Sequence, residues 1–304
     1  MAFGVGSLWT AGLALAALVA ACSPAGGLAS GVVPTSSSVP ASTATTPSVQ
    51  PASAGPAPTR STTVRAYFYL GGEPGTAGLV PVPREVGDGD PIEGALDALL
   101  AGPTTDEAGL RTVTSAIPVG SRLLGLTVAN GIATADLSSD FESGGGSASM
   151  FIRLGQVVFT LTQFPTVQSV VFKIDGQRVT VFSSEGIVLD SPLGRADEAD
   201  LLPAIFVDLP AHGGALDNPG RISGTADVLK AAFRVTILDA AGNTIADVPA
   251  MATCGSGCRG SFDLAVSYSV DRAQLGTLRV WDGSMKGGSP VNVREYPVGL
   301  VPAG

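Results

Sequence analysis

Downstream of residue 61, two stretches carry apolar residues at helical spacing, and the sequence around them is short, extended and broken by turn residues. In the first stretch Ile92, Leu96, Leu99 and Leu100 fall on one face. Asp90 stands at the N-cap position, Pro91 suits the first helical position, Glu93 completes a capping-box spacing, and Gly102-Pro103 supplies the stop. In the second, Met150, Leu154, Val157, Val158 and Leu161 share one face and Gln156, Thr160 and Gln163 the other, with Pro165 ending the run. Thr63–Leu70, Leu79–Val86, Leu123–Val128, Ile132–Leu137, Val170–Ile174 and Arg178–Phe182 have strand chemistry, and Asn130-Gly131 and Asp175-Gly176 mark hairpin turns. The order strand, strand, helix, strand, strand, helix, strand, strand predicts a mixed α+β domain over 62–199, with its helices on one face of a small sheet. Both helical stripes read as ordinary core.

After the acidic stretch Arg195–Asp200, which reads as a solvated boundary, the pattern changes. Ile205–Leu209, Arg221–Gly224, Ala232–Leu238, Thr244–Val248, Ser261–Val270, Gly276–Val280 and Val291–Tyr296 form about seven short strands. Turn signals separate them at Asn218-Pro219-Gly220, Ala241-Gly242-Asn243, Asp282-Gly283 and Gly287-Gly288. Such spacing over 203–302 predicts an immunoglobulin-like β-sandwich. The 40 glycines and 22 prolines of the 304-residue chain agree with this turn-rich plan.

Residues 3–21 are apolar and uncharged, and end at Val19-Ala20-Ala21-Cys22. That ending resembles a bacterial lipobox. The resemblance implies a signal peptide over 1–21, removed before Cys22, and a diacylglyceryl, palmitate-containing anchor on the Cys22 sulfur. An uncleaved membrane anchor, or a signal cleaved elsewhere, is the other reading of the same residues. The stretch that follows, 22–61, is rich in Ser, Pro, Ala and Thr, with Arg60 its one charge. It is expected to be a disordered tether, with ends about 35 Å apart when flexible and up to about 120 Å when drawn out. The body of the protein is therefore expected on the extracytoplasmic face of the cell membrane.

A net charge of −9, with no basic cluster, argues against a nucleic-acid partner. The single histidine, His212, removes any site that needs two. Cys254-Gly-Ser-Gly-Cys258 in an exported chain predicts a disulfide, whose short loop stabilises by about 2 kcal/mol. A zinc site there needs four ligands, and carboxylates would have to supply most of them. His212 sits in a Gly-Gly turn and reads as a solvated loop residue, with no Gly-x-Ser-x-Gly elbow anywhere to make a triad. Asp136, Asp140 and Glu142 are spaced closely enough to be weighed as paired carboxylates for glycan cleavage, against turn or capping roles. Gly144–Gly146 ahead of a helix reads as a flexible loop rather than an anion cradle, since no Lys-Ser/Thr follows. Asp88-Gly-Asp90 lacks the remaining ligands of a calcium loop. No catalytic, cofactor-binding or metal residues are assigned.

Leu99–Thr104, Ala116–Gly120, Ala135–Phe141, Gln156–Pro165, Ile174–Gly176 and Pro192–Arg195 together resemble the sporulation and germination domain called GerMN, in order and across the whole of 62–199. Asp217–Gly220, Ile222–Ala226, Phe233–Gly242, Gly260–Asp263 and Val280–Ser284 resemble the immunoglobulin-like domain found beside it in spore-germination-associated proteins. The resemblance implies a non-enzymatic, extracytoplasmic interaction module, some of whose relatives are lipoproteins at membrane assemblies. It does not imply germination itself. The expectation is thus a non-catalytic envelope lipoprotein with a protein partner, needing no cofactor. A peptidoglycan- or glycan-acting hydrolase using Asp136, Asp140 or Glu142, or a passive binder of cell-wall polymer, is the alternative.

Overall fold

A computed structural model describes residues 61–110, 113–283 and 289–304. The leader, Cys22 and most of the tether lie outside the described residues. The described residues form one compact unit.

The first half runs β1 (Thr62–Leu70), β2 (Gly78–Val86), α1 (Pro91–Leu100), α2 (Thr105–Leu110), β3 (Val113–Thr114), β4 (Leu123–Ala129), β5 (Ile132–Leu137), α3 (Ser147–Leu161) and β6 (Ser169–Ile174). Four short pairs of residues follow: β7 (Gln177–Arg178), β8 (Val181–Phe182), β9 (Ile187–Val188) and β10 (Leu193–Gly194). Asp90 caps α1 by accepting from the Ile92 N–H at 2.9 Å. Asn130 and Gly131, with φ of 54° and 80°, turn β4 back onto β5 in the left-handed conformation such a hairpin requires. β5 and β6 are parallel, and α3 is the crossover between them.

The single small sheet expected for this half is instead two sheets, β2-β1-β3 and β10-β6-β5-β4 with β7 beside β6, plus the two-stranded ribbon β8-β9. α1 and α3 pack on each other and contact both sheets through β1, β2, β4, β6 and β10. The residues Arg178–Phe182 do not form one strand, because β7 pairs with β6 whereas β8 pairs with β9. α2 is an addition. It follows a capping box that the Gly102-Pro103 stop obscures: the Thr104 N–H donates to Glu107 Oε2 at 2.9 Å, and Thr104 Oγ1 accepts from the Glu107 N–H at 3.4 Å. Arg84 also grips Glu107 at 2.7 and 2.8 Å. Burial opposes the Glu107 charge, but these donors outweigh it and hold the carboxyl below its usual range.

The polar face of α3 is buried rather than solvated. β1 pairs with β2 along one edge, and its other edge meets β3 at Tyr69 and Leu70 alone. The backbone groups of Arg65 and Tyr67 on that edge are taken by α3 and the turn after it. Gln163 accepts from the Arg65 N–H at 2.8 Å and donates to its carbonyl at 2.6 Å. Thr160 accepts from the Tyr67 N–H at 3.0 Å, and Gln156 donates to the Tyr67 carbonyl at 3.0 Å. Positions i and i+4 of the helix and i+7 in the turn after it thus replace a neighbouring strand, as buried backbone polar groups require.

The second half comprises β11 (Ile205–Leu209), β12 (Ala215–Leu216), β13 (Gly220–Ala226), β14 (Ala232–Leu238), β15 (Thr244–Met251), β16 (Gly260–Val266), β17 (Gln274–Gly283) and β18 (Pro290–Leu300). The sheets β11-β13-β16 and β12-β18-β17-β14-β15 form the sandwich. Phe233 and Phe262 meet between them, edge to face with ring centroids 4.8 Å apart. β16 stops at Val266, short of the expected Val270, and β18 extends beyond the expected Val291–Tyr296. Helix is confined to the first half and to short turns, so the described chain is rich in β-structure.

Candidate functional site

The carboxylates weighed for catalysis serve separate turns. Asp136 accepts from the Gly176 N–H at 2.9 Å, fixing the turn after β6. Glu142 accepts from the Ser183 N–H at 3.0 Å. Asp140 accepts from the Ser138 hydroxyl at 3.2 Å and faces Arg122 at 3.6 Å on an exposed surface. These are the turn and capping roles that such residues fill in loops.

Two loop expectations are corrected. His212 is buried, not solvated, with 3% of its surface exposed, and its ring stands edge-on to Tyr296 at 6.1 Å. Its backbone N–H donates to the Pro81 carbonyl at 2.7 Å, which holds the turn against the first half. The Gly144–Gly146 segment is pinned by the buried Arg153. That guanidinium donates to the carbonyls of Phe141, Ser143 and Gly144, and its Nε to Ala116 at 3.1 Å. The loop therefore turns carbonyls inward to a cation and offers no anion cradle.

Cys254 and Cys258 are joined by a disulfide, with Cα atoms 5.8 Å apart. The closed loop docks on the turn before β14, where the Ser256 N–H donates to the Val228 carbonyl at 3.0 Å. A Cβ at Gly255 would lie 2.3 Å from the Ala231 nitrogen, so the close approach requires glycine there. Among the described residues no group of three His, Cys, Asp or Glu is placed to hold a metal ion.

Besides backbone bonds such as that from His212 to Pro81, side chains fasten the two halves at two points. Arg294 of β18 is buried and donates to the carbonyls of Thr76 at 2.7 Å and Leu79 at 3.1 Å. Its burial pulls the guanidinium below its usual pKa range. At the second point the Tyr67 hydroxyl donates to Asp208 of β11, and Arg195 donates to the Tyr67 oxygen at 3.1 Å and the Phe159 carbonyl at 3.2 Å. Arg195 also lies over the Phe159 ring, 4.7 Å from its centroid. Burial first, then the Asp208 charge, raises the Tyr67 phenol above its usual range. Beneath this polar cluster Tyr67, Phe159 and Phe206 form one aromatic group across the junction.

Open clefts adjoin these fastenings. The first, about 550 Å³, lies beside Arg195, Asp208, Phe206, Phe262, Met251 and Asp263. The second, about 420 Å³, lies between α3 and the segment after β10. Phe151, Ile152, Tyr69 and Leu201 supply its apolar walls, and Asp197, Glu198 and Asp200 its charge. Arg195–Asp200 is thus not a uniformly solvated stretch: Glu198 is only 6% exposed, while Asp200 remains exposed. Burial, then the charges of Asp197 and Asp200, push the Glu198 carboxyl up to about 7. Leu201 seats on α3 at Gly155, where a Cβ would come within 2.2 Å of its Cδ1. Glu198 was missed in the sequence because its acidic neighbours read as solvent-facing. The adjacent Leu201-Leu202 pair is the signal that the segment docks.

Residues 65–180 match the family described as Germane, sporulation and spore germination. Residues 204–289 match Gmad2, the immunoglobulin-like domain of bacterial spore germination. Similar solved structures include the first GerMN domain of the sporulation protein GerM from Bacillus subtilis, 20% identical, covering 45% of this chain and 99% of that chain at a TM-score of 0.37. The tandem GerMN domains of GerM from Bacillus subtilis are 15% identical, with 68% of this chain and 61% of that chain covered at a TM-score of 0.38. A lipoprotein candidate from Clostridium perfringens is 20% identical, with 46% of this chain and 92% of that chain covered at a TM-score of 0.32. No curated protein matches the chain. Among the described residues no helix is long and apolar enough to cross a membrane.

Proposed function

The chain carries a Germane domain followed by an immunoglobulin-like domain of bacterial spore germination, and on that footing we propose that it is a non-catalytic lipoprotein of the cell envelope. Cys22 bears the lipid, residues 22–61 are the tether, and the two domains over 62–199 and 203–302 present a protein-interaction surface on the extracytoplasmic face. The observation that carries this reading is the fastening of the halves. Arg294 and the Tyr67–Asp208–Arg195 cluster tie them together, and the cleft beside that cluster stands open to a partner. Binding to a preformed surface avoids the cost of ordering it.

Crosslinking in intact cells, read by mass spectrometry, tests the proposal. Reproducible crosslinks from the head to one membrane complex are expected. Muropeptide release by the purified protein, lost on Asp136→Asn or Glu142→Gln, would replace this reading with the hydrolase. For the anchor, Cys22→Ala is expected to accumulate as an uncleaved precursor without palmitate label, and normal labelling would remove it.

A further inference from the structure

We propose that the cleft between α3 and residues 197–201 receives a lysine or arginine side chain of a partner protein, flanked in that partner by an apolar residue. This rests on reading the head as a protein-interaction body. Glu198 is 6% exposed and faces the cleft, yet among the described residues no donor reaches its carboxylate. A buried charge is ordinarily paired, and the nearby cations are engaged elsewhere. Arg195 is held by Tyr67, Asp208, Thr162 and Phe159. Arg259 lines a third, separate cleft with Ala199, Leu202 and Phe206, attracted by Asp227 and, more weakly, by Asp200. Asp197 is tied to the Gly194 N–H at 2.8 Å, which fixes the segment that carries Glu198. Asp200 adds negative charge at the mouth.

The walls decide what kind of cation fits. Phe151, 46% exposed on α3, continues with Ile152, Tyr69 and Leu201 into an apolar lining. A lysine or arginine lays its methylene stem on such a surface while its head reaches the carboxylate, and aromatic rings favour the cation further. A calcium or magnesium ion needs six or more oxygen ligands and gains nothing from these walls. The half-exposed Phe151 beside them suits an apolar neighbour of the basic residue.

The test places the photo-crosslinker p-benzoylphenylalanine at Phe151 of the full chain in its own cells, with the same probe at Met251 of the other cleft as a reference site. The peptides captured from position 151 are expected to carry lysine or arginine within about three residues of the crosslink. Glu198→Gln and the exposed Asp200→Asn are each expected to lower the yield about five-fold or more, with the yield at position 251 unchanged. Replacing the captured basic residue by glutamate should abolish the crosslink, and Asp200→Lys should restore it. Crosslinks at 251 but none at 151 overturn the cleft assignment and leave the interaction reading standing. So does a crosslink at 151 to segments without a basic residue, or one indifferent to both substitutions. No protein crosslink at either site overturns both.

Discussion

The side-chain amide of Gln156 donates to the Tyr67 carbonyl at 3.0 Å, inside the protein and 89 residues away in sequence. The same amide accepts from the Ala116 N–H at 2.8 Å. One side chain therefore completes the edge of β1 and anchors the chain just after β3. A strand edge left bare would cost buried backbone hydrogen bonds or invite another strand to pair. Here a helix covers it, and the Tyr67 side chain is free to reach across to Asp208 from the opposite half.

Gln156→Leu should keep the volume and lose these bonds, together with the contact to the Ser115 hydroxyl at 3.2 Å. The Tyr67 carbonyl would be left buried and the Ala116 N–H part-buried, both without partners, at about 1–3 kcal/mol each. A loss of about 2–4 kcal/mol is expected in chemical denaturation, read as a lower midpoint with an unchanged slope. Thr160→Val, which removes one such bond, should cost about 1 kcal/mol. Wild-type stability in both variants would show that the edge does not depend on α3.

Two glycines in strands separate close packing from backbone freedom. Neither needs a left-handed φ. A Cβ at Gly224 would lie 1.9 Å from the Phe206 carbonyl oxygen, which is backbone and cannot swing away. A Cβ at Gly125 would meet nothing closer than Asp136 Cβ at 4.0 Å. Gly224→Ala should therefore part β13 from β11 and cost about 3 kcal/mol, near the upper end for overpacking. Gly125→Ala should be neutral to within about 1 kcal/mol. Thermal melts of the two variants make the comparison, and equal melting temperatures would contradict it.

Local signals made α1, α3 and the Asn130-Gly131 hairpin legible in the sequence, because a cap, an apolar stripe or a turn pair decides each within a dozen residues. The alternating strands of the second half were legible for the same reason. The two-sheet arrangement of the first half was not, since strand partners are set by contacts distant in sequence. Gln156, Thr160 and Gln163 show the limit most clearly. Periodicity placed them on one face of a helix, but only the unpaired edge of β1 gives that face its use. Glu198 failed for a related reason: charge and exposure usually go together, and here Leu201 seated on Gly155 draws the acid inward.

The disulfide between Cys254 and Cys258 closes a short loop, and its removal should cost about 2 kcal/mol by the loop-entropy argument. Cys254→Ser with Cys258→Ser should lower the melting temperature while the sandwich persists, because Phe233, Phe262 and their neighbours remain in place. Local hydrogen exchange should rise at Ser256, whose N–H is held by the Val228 carbonyl in the docked loop. Unchanged exchange there would mean the loop needs no crosslink.

Glu198 gives stability a pH dependence whose sign follows from its environment. Its carboxyl is raised from the ordinary 4.5 to about 7 in the folded chain, by burial and then by Asp197 and Asp200. Between those values the folded chain holds a proton that the unfolded chain has released, so stability falls as pH rises. The contribution is fully present below the unfolded value and lost as pH passes through the folded one. After allowing for solvent screening at a cleft wall, the loss is on the order of 1–2 kcal/mol. Unfolding midpoints at pH 5 and pH 8 should thus show the wild type less stable at the higher pH. Glu198→Gln should remove that part of the slope and be the more stable protein at pH 8, because no charge is left buried. Asp200→Asn should flatten the slope partly, by withdrawing one of the charges that oppose ionisation. Parallel pH profiles for wild type and Glu198→Gln would show that the carboxyl ionises in the folded chain as it does in water.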